Sequence, residues 1–125
     1  MKRALFVLSA SLLAITAAPV LAQDAVTTDP AHYKVVLDND QVRVLRVNYG
    51  PGEKSIMHSH PATVAVFQTD GQARFTLPDG KTVDAQVKAG EVMFHAPEQH
   101  LPENTGDKPF EVILVEVKEK PAAPE

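Results

Sequence analysis

The stretch Phe75-Thr76-Leu77-Pro78-Asp79-Gly80-Lys81-Thr82-Val83 decides the fold. Pro78 presets φ for a tight turn and Gly80 accepts a positive φ, so the β-prone residues on either side are expected to pair as a hairpin. The pattern repeats outward in both directions. Turn residues recur at Asp38-Asn39-Asp40, Pro51-Gly52, Asp70-Gly71, Ala89-Gly90, Ala96-Pro97 and Asn104-Thr105-Gly106-Asp107. Between them many runs alternate apolar and polar side chains, as in Val42-Arg43-Val44-Leu45-Arg46-Val47 and Val83-Asp84-Ala85-Gln86-Val87. Strands are expected over residues 33–37, 41–49, 55–60, 63–69, 73–77, 82–87, 91–95 and 110–117, a spacing that means a sandwich or barrel. After Ala22 no window keeps a 3.6-residue period over three turns, so the fold class is all-β.

The ends of the chain read differently. Lys2 and Arg3 precede an apolar run from Ala4 to Ala18, followed by Pro19 and Val20-Leu21-Ala22. The run is too short for a bilayer of roughly 30 Å and suits a secretory signal peptide over residues 1–22, cleaved after Ala22. The protein is then expected to be secreted or periplasmic, without a membrane anchor after cleavage. Residues 23–117 form the single domain, and residues 118–125, charged and then rich in Pro and Ala, form a flexible tail.

Composition narrows the function classes. The 125 residues hold 12 Lys and Arg against 16 Asp and Glu, a net charge of −4, and no Cys. Lys2 and Arg3 leave with the leader, so the working domain is more acidic still. Nucleic-acid binding requires a basic stripe, which is missing. The lack of Cys excludes disulfides, iron–sulfur clusters, thiolate zinc sites and thiol nucleophiles. A domain this small buries only about 60 to 70% of its unfolded surface, so a homodimer through an edge strand is a natural expectation.

The chemistry concentrates in histidine. In Ser55-Ile56-Met57-His58-Ser59-His60 the two His are two apart on an expected strand, so both imidazoles leave one face, with Ile56 beside them and the serines opposite. One ion can touch both, and His100, in a later strand or turn, can supply a third nitrogen. The alternative is a pair of half-exposed strand residues on a polar face. His95 shares a strand face with Met93; it is a fourth ligand, a donor to a ligand, a general base or a satisfied half-buried residue. Gln68 shares parity with Val64 and Val66 and is expected in the same cavity or at a solvated strand end. Glu98 and Glu103 flank His100 in what reads as a surface turn, and Asn104 is expected to hold the turn after it. Arg46 and Arg74 meet an anionic substrate only if they face the interior, and His32 lies outside these motifs.

Gly52, His58, Ser59, His60 and Gly71 resemble the first motif of the cupin superfamily, and Gly90, Pro97, His100 and Asn104 its second. The resemblance is to small single-domain, cupin-2-like members and covers residues 52–104. It implies a double-stranded β-helix, or jelly roll, and assigns His58, His60 and His100 to a divalent metal inside the barrel. The sequence departs from the pattern in two places. The family's Glu ligand, three or four residues beyond the second His, is missing from Pro61-Ala62-Thr63-Val64-Ala65. The second motif is one residue short and has Glu98 where Gly is usual. Some cupin oxygenases, thiol dioxygenases among them, are similar in using three His without the Glu.

The reading that follows is an exported small cupin holding one divalent ion, Fe, Zn, Ni or Cu, with an open coordination position for a small-molecule ligand. If it is an enzyme, dioxygenase-like oxidation is the first expectation and metal-assisted hydrolysis or isomerisation the second. The alternatives are a metal-free module binding a sugar or organic acid, and a structural or partner-binding β-domain.

Overall fold

A computed structural model describes residues 23–120 of the chain. The leader expected over residues 1–22 and residues 121–125 of the expected tail lie outside the described residues. Among the described residues no helix is long and apolar enough to cross a membrane.

One helical turn comes first: α1 (Ala25–Thr28) is capped by the carboxylate of Asp24, which accepts from the Thr27 N–H at 3.1 Å. The strands are β1 (Tyr33–Asp38), β2 (Val42–Tyr49), β3 (His58–His60), β4 (Thr63–Phe67), β5 (Gly71–Thr76), β6 (Thr82–Val87), β7 (Val92–His95), β8 (Glu98–Asn104) and β9 (Phe110–Val117). A five-stranded sheet runs β1-β2-β9-β4-β7 and a four-stranded sheet runs β3-β8-β5-β6. Neighbouring strands are antiparallel in both. The all-β, jelly-roll fold class therefore holds.

Period-two alternation sorts the side chains. Leu45, Val47 and Tyr49 of β2, Ala65 and Phe67 of β4, and Phe110 and Val112 of β9 all turn inward and form one core cluster. Leu45 is completely buried, a burial that stabilises the fold by about 2 kcal/mol. The hairpin β5–β6 forms as its turn chemistry dictates, with Phe75 opposite Val83 and Gly80 at φ 86°. Gly71 is required for a different reason: a Cβ there would lie 2.1 Å from Cδ2 of Phe110, so only glycine lets β5 pass that ring.

Two features depart from the expected elements. The strand expected from Ser55 begins only at His58. Lys54 pairs opposite Glu103, whereas His58 pairs opposite His100, so one extra residue lies between the two pairings on the first strand. Such an insertion switches parity. Ser55 is consequently buried and Ile56 is 56% exposed, the reverse of a regular strand running from Ser55 to His60. The second departure is β8, which replaces the expected surface turn. Pro97 and Pro102 mask it in the sequence, yet Pro102 sits inside the strand opposite Phe75, and its carbonyl accepts from the Ser55 N–H at 2.9 Å. β8 thus lies between β3 and β5.

Candidate metal centre

The pairing of β3 with β8 builds the site. His58 and His60 leave the inner face of β3, and His100 leaves β8 directly across from His58. The ring centroids are 4.8 Å apart for His58 and His60, 5.0 Å for His58 and His100, and 5.2 Å for His60 and His100. Each ring offers a nitrogen, and the three lie within 4.8 Å of one another. All three residues are buried, His58 at 1% exposure.

The outward nitrogens are held by the protein. Nδ1 of His58 lies 2.7 Å from the Ile56 carbonyl, which can only accept, so Nδ1 carries the proton and Nε2 keeps its lone pair. Nδ1 of His60 donates to Oε2 of Glu116 at 2.9 Å, and Nδ1 of His100 lies 3.3 Å from Oε1 of Glu98. The three Nε2 atoms are buried and have no hydrogen-bond partner. Three unpartnered acceptors side by side are costly in a core, and they are what a divalent ion requires. The residues present therefore fit a metal.

Electrostatics favours the ligating form. Burial, aided by repulsion from His60, pushes His58 down to about 4. Burial, with repulsion from His60 and His58, pushes His100 down to about 3. Both are neutral at pH 7, as metal ligation requires.

Glu116 escaped the sequence reading. Burial raises its carboxyl, but hydrogen bonds from His60 and Arg43 outweigh that and hold it below the usual carboxylate range. Arg43 Nε donates to Glu116 Oε1 at 2.6 Å, and its guanidinium also pairs with Asp24. A chain of charge thus runs from Asp24 through Arg43 and Glu116 to His60. Its signal was parity: Glu116 shares a strand face with Phe110, Val112 and Leu114, and Arg43 shares one with Leu45, Val47 and Tyr49. Glu116 also pairs across from Thr63, in the segment where the expected Glu ligand is missing.

The remaining candidates separate clearly. His95 lines the cavity beside His60 and His100 but stands at its rim, 34% exposed, with Nδ1 3.8 Å from Glu98 Oε1. It is outside the cluster of three. Gln68 does not enter the cavity. Thr63, Ala65 and Phe67 take the inner face of β4, which puts Val64 and Val66 on the outer parity; Gln68 is exposed and its amide donates to the Val66 carbonyl at 3.2 Å. Glu98 belongs to β8 and to the cavity wall rather than to a solvated turn. Asn104 is buried and donates to the carbonyls of Tyr49 and Lys108 while accepting from the Gly106 N–H. Arg46 and Arg74 face outward in ion pairs with Glu111 and Asp84. His32 is held between Asp29 and Glu53, 2.7 Å from each, and stacks on Tyr49 at 4.3 Å.

Known proteins share the fold. The family model described as Cupin domain matches residues 45–116. A cupin domain from Bordetella pertussis Tohama I is similar at 27% identity, over 70% of this chain and 92% of that one, with a TM-score of 0.65. A protein from Thermotoga maritima described as a predicted oxalate decarboxylase is similar at 25% identity, over 69% and 79% of the two chains, with a TM-score of 0.50. A Klebsiella pneumoniae protein with a double-stranded β-helix domain shares the fold at 24% identity, over 70% and 73%, with a TM-score of 0.56. None of the curated proteins matches this chain.

Proposed function

The chain belongs to the cupin-domain family, whose model spans more than half of it, and on that premise we propose that it is an exported cupin holding one divalent metal ion through His58, His60 and His100. The observation that carries the reading is the convergence of three buried imidazoles whose Nε2 atoms have no other partner. Three neutral imidazoles leave the charge of a divalent ion uncompensated and a coordination position open, so the ion would supply Lewis-acid activation of a bound ligand, or redox chemistry if it is iron. Fe, Zn, Ni and Cu all suit such a donor set.

The chain's own residues do the rest. The Ile56 carbonyl and Glu116 fix the tautomers of His58 and His60 and aim their Nε2 lone pairs inward. Apolar side chains make most of the wall on the open side, and His95 stands at the rim, where an entering ligand passes it. If the protein turns its ligand over, a dioxygenase-like oxidation is the reaction this donor set favours. Export is supported by Lys2, Arg3 and the apolar run after them. Self-association is supported by the exposed apolar side chains of the two edges of the larger sheet, Val35, Val36 and Leu37 on β1 and Val92, Met93 and Phe94 on β7.

The test is elemental analysis of untagged protein purified without chelators, alongside the variants His58→Ala and His100→Ala. One equivalent of metal in the wild type and far less in both variants is expected. No stoichiometric metal in the wild type overturns the reading.

A further inference from the structure

We propose that the ligand of this site is a small, largely hydrocarbon molecule with a single ligating head group, uncharged or carrying one negative charge, and that dicarboxylates and sugars are rejected. The inference rests on the metal reading above and follows from what the cavity beside the histidines does and does not offer.

The cavity is about 70 Å³, several-fold below the roughly 300 Å³ at which pockets for drug-sized ligands begin. It has room for a short chain and not for a drug-sized body. Its inner wall is made by Val47, Ala65, Phe67, Phe110, Val112 and Leu114. Among the described residues no Lys or Arg lines it. A second carboxylate carried into this chamber would be a buried charge without a counter-charge, a large penalty. Glu98 and Glu103 also line the cavity, which adds repulsion to the missing attraction.

A sugar fails for the complementary reason. Its hydroxyls need several hydrogen-bond partners, both donors and acceptors, and the hydroxyl and amide side chains of the wall are already engaged with the protein, while Glu98 and Glu103 can only accept. Tyr49 donates to the Tyr33 hydroxyl at 2.7 Å, which leaves at most one hydroxyl hydrogen of that pair for a ligand. Thr63 donates to the Pro61 carbonyl at 2.7 Å. Both the nitrogen and the oxygen of the Asn104 amide are engaged with backbone. The free polarity is thus confined to the histidine cluster and the rim. One head group at the cluster and an apolar body against the wall use everything the chamber provides.

The test loads the protein with Co(II), whose visible absorption reports changes in coordination, and titrates it with butyrate, succinate and glucose. Butyrate and succinate have the same chain length and differ in the second carboxylate. Butyrate is expected to perturb the bands at least tenfold more tightly than succinate, and glucose to leave them unchanged. Val112→Ala, which enlarges the apolar chamber, is expected to shift the preference from butyrate toward hexanoate by several-fold. Failure of Co(II) to give bands that depend on His58 and His100 overturns both the metal reading and this one. Bands with succinate bound as tightly as butyrate, or with glucose bound, overturn the ligand class alone.

Discussion

Oε2 of Glu116 stands 2.9 Å from Nδ1 of His60, so a carboxylate from the last strand meets the outward nitrogen of an inward-facing imidazole. The contact is sealed from water: the two side chains are 2% and 4% exposed. The carboxylate sits behind the candidate ligand rather than beside it. It fixes the tautomer of His60 and brings negative charge near the three converging nitrogens.

Glu116→Gln therefore weakens metal binding without emptying the site. Partners of this kind are worth about 10- to 100-fold in metal affinity. A loss within that range by isothermal titration with Zn(II), against near-complete loss in His60→Ala, is the expected result. An affinity unchanged by Glu116→Gln would show that the contact plays no part in metal binding. Glu116→Ala leaves Arg43 paired with Asp24 alone and His60 Nδ1 without its acceptor, and is expected to cost about 1–3 kcal/mol in urea unfolding.

The metal-free fold weakens in acid through His58 and His100. Above about pH 6.5 both are neutral in the folded and unfolded chain alike. Their folded values lie at about 4 and about 3. Between pH 6.5 and 4 the unfolded chain takes up protons at these positions and the folded chain does not, so stability falls as pH falls. His58 alone contributes a loss on the order of 3 kcal/mol by pH 4. Urea midpoints of metal-free protein at pH 7.5, 5.5 and 4.5 should decline, and the decline should be shallower in His100→Leu. Equal slopes in the two proteins would refute the assignment.

Metal removal should be visible as a loss of thermal stability. An ion present at a hundred times its dissociation constant stabilises by about 2.7 kcal/mol. For a domain of this size that corresponds to a drop of about 10 °C on adding a chelator. The drop is expected to vanish in His58→Ala, and differential scanning calorimetry measures both. A chelator effect of the same size in that variant would place the metal elsewhere.

Gly71→Ala tests the close approach of β5 to β9. Its Cβ would stand 2.1 Å from Cδ2 and 2.6 Å from Cε2 of the Phe110 ring. Phe110 is buried and packs against Phe67 with centroids 6.0 Å apart, so it cannot swing away freely. A cost of about 1–3 kcal/mol is expected in equilibrium unfolding. The double variant Gly71→Ala/Phe110→Leu should recover part of it, because the smaller side chain yields.

Local chemistry and period-two patterning are readable from the chain itself. Pro78-Asp79-Gly80 specifies its hairpin, Leu45, Val47 and Tyr49 their inward face, and His58 and His60 their common side, because neighbours in sequence determine all three. Three features required the folded molecule. The extra residue between Lys54 and His58 exchanges the burial of Ser55 and Ile56, and an inserted residue has no mark in composition. The strand holding His100 was concealed by Pro97 just before it and by Pro102 inside it, and the poor fit of Pro102 to a strand is overridden by pairing on both sides. Gln68 faces outward because β4 turns Thr63, Ala65 and Phe67 to the core, a choice between two faces that alternation alone leaves open. The deepest of these decisions is the register of β3 on β8. It sets His100 opposite His58 across more than forty residues of chain, and a slip of one residue would turn that imidazole to the other face of the sheet. Sequence supplied the donors; long-range strand pairing, which no local pattern encodes, brought three of them around one point.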